Sequence, residues 1–113
     1  MLDEINIDPT NLAAVKLGMY QVTQTASVAR YFNSLPVKAG AKTGTAQINN
    51  NTGTNATFVC FAPYDDPQIA LCLVVEKGSS GSSLASMAAD ILQFYFTNQQ
   101  ADSAVTVENQ LMR

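Results

Sequence analysis

The stretch VKAGAKTGTAQINNNTGTNATFVCFAPYDDPQIALCLVVE, residues 37–76, decides the fold of this chain. It holds three runs rich in aliphatic, β-branched or aromatic residues, separated by two clusters of turn formers. Residues 37–48 read as a first strand. It runs into NNNTGTN (49–55), whose asparagines and glycine tolerate positive φ. TFVCFA (57–62) is strongly β-forming, and PYDDPQ (63–68) is a turn by composition, which accounts for the paired Asp65 and Asp66. IALCLVVE (69–76) is a third strand. It is apolar on both faces and is therefore expected in the middle of its sheet, covered on both sides. Connections this short make consecutive strands antiparallel.

Helices flank this block. Asp8-Pro9 reads as an N-cap followed by proline at the first helical position. Leu12, Val15, Met19 and Val22 then recur at helical spacing, which predicts a helix over about residues 9–24. Gly18 costs that helix roughly 1 kcal/mol relative to alanine, so close packing is expected to explain it. ASVARYFN (26–33) predicts a short second helix, ended by Pro36. After the third strand, KGSSGSS (77–83) is a flexible connector closing on N-cap serines. Leu84, Met87, Ala88, Ile91, Leu92 and Tyr95 form an apolar stripe out to about Thr97. Phe94, Tyr95 and Phe96 are expected in the core and at an interface. Residues 98–113 are polar and are expected to form a mobile tail. The fold class is therefore α+β: an antiparallel sheet of at least three strands with helices packed on it. Residues 1–97 form one unit.

Composition narrows the function. With 113 residues, 47% of them hydrophobic and 13% charged, the chain can build a modest core and is not a disordered segment. So little charge also implies apolar surface covered by a partner, by another part of a larger protein or by a second copy in a homo-oligomer. A net charge of -3 with six Lys and Arg and no basic stripe argues against nucleic acid. No apolar window approaches the roughly 18 residues of a membrane span. MLDEINIDPTN has no basic n-region, so no signal peptide is expected. Histidine is absent, which removes the commonest general base and metal ligand. Cys60 and Cys72 alone do not make a zinc site, and no metal or cofactor is expected. Both are expected as buried free thiols, with a cross-strand disulfide open if their strands pair side by side.

The pattern that carries chemistry is Lys42-Thr43-Gly44-Thr45. It is not a phosphate loop: Ala41 stands where that motif needs glycine, and the segment runs into a turn and another strand, not a helix. Lys-Thr-Gly also occurs on the cleft-lining strand of serine β-lactamases and penicillin-binding proteins. A three-residue match alone is common, but its surroundings extend it. LPVKAGAKTGTAQ (35–47) resembles the third box of the class B penicillin-binding proteins, which are D,D-transpeptidases. ATFVCFAPYDDPQIALCLVVEKG (56–78) resembles the next two strands of that domain. GSSGSSLASMAADILQFYF (78–96) resembles its final helix, and IDPTNLAAVKLGMYQVTQ (7–24) the helix before the box. The Ser-rich connector is closer to the elongation-type subgroup.

The resemblance implies the C-terminal portion of a transpeptidase domain with a partial penicillin-binding (serine β-lactamase-like) fold. It implies a membrane-anchored, extracytoplasmic parent that binds peptidoglycan stem peptides and β-lactams, and the remainder of the domain as a partner. It assigns catalytic parts to Lys42, whose ammonium raises the local positive potential and holds a serine of the second box, and to Thr45, whose backbone N–H is one oxyanion donor. The Thr43 and Thr45 hydroxyls bind the terminal carboxylate. Gly44 lets substrate approach the backbone, and the strand pairs with the peptide by main-chain hydrogen bonds; Gln47 either lines the cleft edge as a substrate-binding residue or is an ordinary exposed polar residue of the strand. Two departures stand out. Ala41 replaces the glycine usual before the lysine. Neither the Ser-x-x-Lys nor the Ser-x-Asn box is present: Ala13, Leu35, Ala39 and Val74 stand three residues before Lys16, Lys38, Lys42 and Lys77. The chain by itself is expected to form no acyl-enzyme. The alternatives are a non-catalytic binding or structural module, or a fragment of a serine β-lactamase or β-lactam sensor.

Overall fold

A computed structural model of the protein describes residues 3–25, 27–49 and 53–111, with the side chains of 48, 49 and 100–111 left out. The first helix, α1 (Pro9–Thr25), starts at the expected cap. The Asp8 carboxylate accepts the Thr10 N–H at 2.8 Å and its carbonyl accepts the Leu12 N–H at 3.0 Å. A single turn, α2 (Ala29–Phe32), follows. Three strands come next, β1 (Gly40–Asn49), β2 (Gly53–Ala62) and β3 (Ile69–Val75). A 3₁₀ turn (Gly81–Leu84) then leads into α3 (Ala85–Leu111).

The sheet is antiparallel throughout, in the order β1-β2-β3. β1 begins at Gly40 and not at residue 37, because the backbone before it is engaged elsewhere. The Lys38 carbonyl accepts the Tyr64 N–H at 2.8 Å, and the Ala39 carbonyl lies 2.9 Å from the Thr23 hydroxyl. β2 starts at Gly53, with φ of 89°, inside the cluster expected to be turn. Residues 50–52 lie outside the described residues.

The two-residue period sorts the strands into faces. Ala41, Ala56, Phe58, Cys60 and Ala62 are buried on one face, under Phe32 of α2 and Ala85, Ala88, Leu92 and Phe96 of α3. Alanines on both sides of this layer allow close approach, and Phe32 stacks on Phe58 with ring centroids 6.0 Å apart. The opposite face carries Val59, Phe61, Cys72 and Val74. Among the described residues its cover is at the near end, where Met19 and Lys16 of α1 meet the Gly40–Phe61 pair.

Several expectations change in three dimensions. β3 is not central. It forms an edge of the three-stranded sheet, with Val74 60% and Val75 40% exposed. Its second apolar face finds no cover among the described residues. The α1 stripe is used by half: Val22 packs against the core and Met19 meets Gly40, whereas Leu12 and Val15, nearer the start of the helix, are exposed. A Cβ at Gly18 has nothing within 4 Å, so close packing does not explain that glycine. In α3, Phe96 is buried and Tyr95 packs beside the core, while Phe94 is 69% exposed. The helix also continues to Leu111, past its expected end near Thr97, over residues that contain no glycine or proline. A helix already nucleated by packing propagates through such a segment at little cost.

The cysteines are free. Cys60 pairs with Leu71 and Cys72 with Val59, which puts the two thiols on opposite faces of the sheet. The register that makes their strands neighbours thus rules out the disulfide. Cys60 is buried and Cys72 is exposed, so only one of the two expected buried thiols is buried.

Candidate functional site

Lys42, Thr43, Gly44, Thr45 and Gln47 all lie on β1, which is extended and forms the other edge of the sheet. One side of its backbone ladder therefore meets no strand among the described residues. Strand alternation divides the five residues. Thr43, Thr45 and Gln47 continue the row of Ala41 on the helix-covered face, and Lys42 and Gly44 lie on the other. The cover thins along the row: Ala41 is fully buried, Thr43 is half-buried, and Thr45 and Gln47 are exposed. Lys42 is exposed beside its cross-strand partner Val59, and its Nζ donates to the Thr43 carbonyl at 2.6 Å. On the Lys42 face a shallow apolar groove runs from Val59 to Ala70 and Cys72.

Two glycines set the shape of this strand. A Cβ at Gly44 would collide with the Thr57 hydroxyl on the paired strand. A Cβ at Gly40 would stand 2.6 Å from the Phe61 ring and 3.2 Å from Met19 Cβ. Glycine thus occupies the position where α1 and Phe61 close on β1. Ala41, whose methyl replaces the glycine of the resembling box, is accommodated because it faces the core opposite Cys60.

Two supports of β1 escape the sequence reading. Thr23, in the last turns of α1, is 1% exposed, and its hydroxyl lies 2.7 Å from the Tyr20 carbonyl and 2.9 Å from the Ala39 carbonyl. It ties the helix to the chain immediately before Gly40. Gly81, in the connector read as flexible, is buried against β1 and β2, and its N–H donates to the Thr45 hydroxyl at 3.3 Å. A polar residue next to the apolar Val22 was a faint signal for Thr23. The Gly/Ser-rich composition around Gly81 pointed the other way.

The chemistry of the site is that of a polar strand edge. It offers one ammonium, two hydroxyls, an amide and an open backbone, which suit an extended ligand carrying an anionic end. Cys60, on the buried face of the neighbouring strand, is not a nucleophile in waiting: burial pushes its thiol up from 9.0 to about 11, so it stays protonated. Among the described residues no cluster of His, Cys, Asp or Glu could hold a metal ion.

The family described as penicillin binding protein transpeptidase domain matches residues 1–93. The chain belongs to that family. This transpeptidase-family chain is 33% identical to the peptidoglycan D,D-transpeptidase MrdA of Escherichia coli over 93 aligned positions, covering 68% of the chain and 15% of MrdA. It is 31% identical to penicillin-binding protein 2B of Streptococcus pneumoniae over 103 positions, covering 83% of the chain and 15% of that protein. The solved structure of penicillin-binding protein 2B superposes with a TM-score of 0.72 at 28% identity, over 86% of this chain and 17% of the other. The three-stranded sheet and its helices are thus those of a penicillin-binding transpeptidase domain, and the chain spans about a sixth of the length of these relatives.

Proposed function

We propose that β1 is the substrate- and β-lactam-binding strand of a peptidoglycan D,D-transpeptidase domain. The observation that carries this reading is the placement of Lys42-Thr43-Gly44-Thr45 on an exposed strand edge in a chain of the transpeptidase family. An extended stem peptide adds to the edge by main-chain hydrogen bonds. Thr43 and Thr45 donate to the carboxylate of the terminal D-alanine, which β-lactams mimic, and Gln47 borders the same row. Gly44 leaves the backbone open to the ligand. Lys42, on the other face, raises the positive potential and holds a serine supplied from outside this chain. The Thr45 backbone N–H serves as one oxyanion donor; losing such a donor costs about 2.7–4 kcal/mol of transition-state stabilisation in other acyl-transfer enzymes.

The bond-making serine belongs to a segment outside these 113 residues, because neither serine box occurs in them. The remainder of the transpeptidase domain is the partner, in a membrane-anchored protein that acts outside the cytoplasm. Among the described residues no helix is long and apolar enough to cross a membrane. The test is incubation of the chain with a fluorescent penicillin followed by a denaturing gel. No labelled band is expected from the chain alone. A covalent adduct on it places the nucleophile in this chain and overturns the division of labour.

A further inference from the structure

We propose that the Gly81 backbone N–H is a positioning group for the Thr45 hydroxyl, holding it as a hydrogen-bond donor toward the anionic end of the ligand. The inference rests on the reading of β1 as a carboxylate-binding strand. A threonine hydroxyl has one hydrogen to give and two lone pairs to accept with, whereas a carboxylate only accepts. Whatever meets Thr45 from inside the molecule therefore decides what is left for the ligand. An inward carbonyl takes the hydrogen and turns the oxygen's lone pairs outward, against the anion. An inward N–H occupies a lone pair and leaves the hydrogen free. The inward group here is the Gly81 N–H, 3.3 Å from Thr45 Oγ1, and the outer side of Thr45 is exposed.

The surroundings hold Gly81 in that place. There is no room for a Cβ: it would collide with the carbonyls of Gly44 and Thr57 and stand 2.7 Å from the Gly44 nitrogen. Gly81 thus rests directly on the peptide of the residue before Thr45. The connector that carries it is pinned on both sides. The Thr54 hydroxyl lies 2.9 Å from the Gly78 carbonyl and 3.0 Å from that of Ser79, and Asn55 Oδ1 accepts the Lys77 N–H at 3.1 Å. Ser80 Oγ accepts the Ser82 N–H at 3.3 Å, and the Ser80 carbonyl accepts the Ser83 N–H at 3.0 Å. Leu84 and Ala85 then enter the core. A segment that composition marks as a loose linker is a fixed support under the ligand strand.

Two measurements on the 113-residue chain test this, both by NMR. The first is hydrogen exchange of the Gly81 amide. Thr45→Val, which removes the acceptor and keeps the shape, is expected to speed that exchange about tenfold, the equivalent of one ordinary hydrogen bond, and Thr45→Ser to leave it slow. Equal exchange in the wild type and Thr45→Val overturns the proposal. The second is titration with N-acetyl-D-alanyl-D-alanine. Gly81→Ala is expected to weaken binding about tenfold, again one hydrogen bond's worth, with amide shifts confined to the connector and to the surroundings of Gly44 and Thr57, which the added Cβ meets. Affinity equal to wild type overturns the proposal. Should Gly81→Ala fail to fold, Ser80→Ala replaces it, removing the cap of the turn without adding an atom; it is expected to weaken binding in the same direction, and unchanged affinity again overturns the idea. A wild-type chain that does not titrate at all defeats the carboxylate reading of β1, and the Gly81–Thr45 contact is then decided by the exchange rates.

Discussion

Gly18 and Cys60 show how much a single residue's role depends on neighbours far away in the chain. In the sequence, Gly18 is a costly glycine inside a helix, and packing is the natural explanation. In the structure it faces open space. Gly18→Ala is therefore expected to stabilise the chain by roughly 0.5–1 kcal/mol, read as a higher urea midpoint at unchanged slope. Cys60 was legible as a strand thiol but not as the buried one of the pair, since Cys60 and Cys72 lie in equally apolar runs and only the register separates them. Burial raises the folded-state pKa of Cys60 from 9.0 to about 11. The unfolded chain releases this proton first, so the contribution to stability is intact below about pH 9 and is lost as pH rises toward 11. Stability measured across that window should fall less steeply in Cys60→Ala than in the wild type, after allowing for the variant's lower starting value. Parallel curves refute the burial argument.

At the scale of elements, turn chemistry and periodicity located α1, the three strands and the start of α3, because caps, turns and β-forming runs are local properties of the chain. Element ends were less legible. β1 starts three residues late because Lys38 and Ala39 spend their carbonyls on Tyr64 and Thr23. α3 runs long because nothing in residues 98–111 stops it. One buried side chain hydrogen-bonds α1 to the chain just before β1. Thr23→Val keeps the shape and removes the hydroxyl, leaving the Ala39 carbonyl short of a partner in a buried place. We expect a loss of about 1–3 kcal/mol by denaturant unfolding. Thr23→Ser should recover most of it, and a valine variant as stable as wild type would show that α1 is held by Met19 and Val22 alone.

For the molecule as a whole, the apolar surface implied by the low charge content is real and has an address. It comprises the uncovered face and edge at β3, with Val59, Cys72 and Val74, together with Leu12, Val15 and Phe94 on the helices. An edge strand this apolar, with neither lysine nor proline within it, invites further pairing. The chain is expected to self-associate with rising concentration in sedimentation velocity, and Val74→Lys to shift it toward monomer at little cost to stability. A concentration-independent monomer in the wild type rules out this surface as a contact between copies. By itself, the sequence determined the α+β class, the antiparallel order of the strands and the presence of the Lys-Thr-Gly-Thr segment on one of them, since each is written in residue types a few positions apart. Only the tertiary structure decided that β1 and β3 are the edges, that Thr45 and Lys42 lie on opposite faces of one strand, and that Gly81 lies beneath it. Those facts arise from contacts between segments as many as 36 residues apart, where burial and room for a side chain, not local preference, select the outcome.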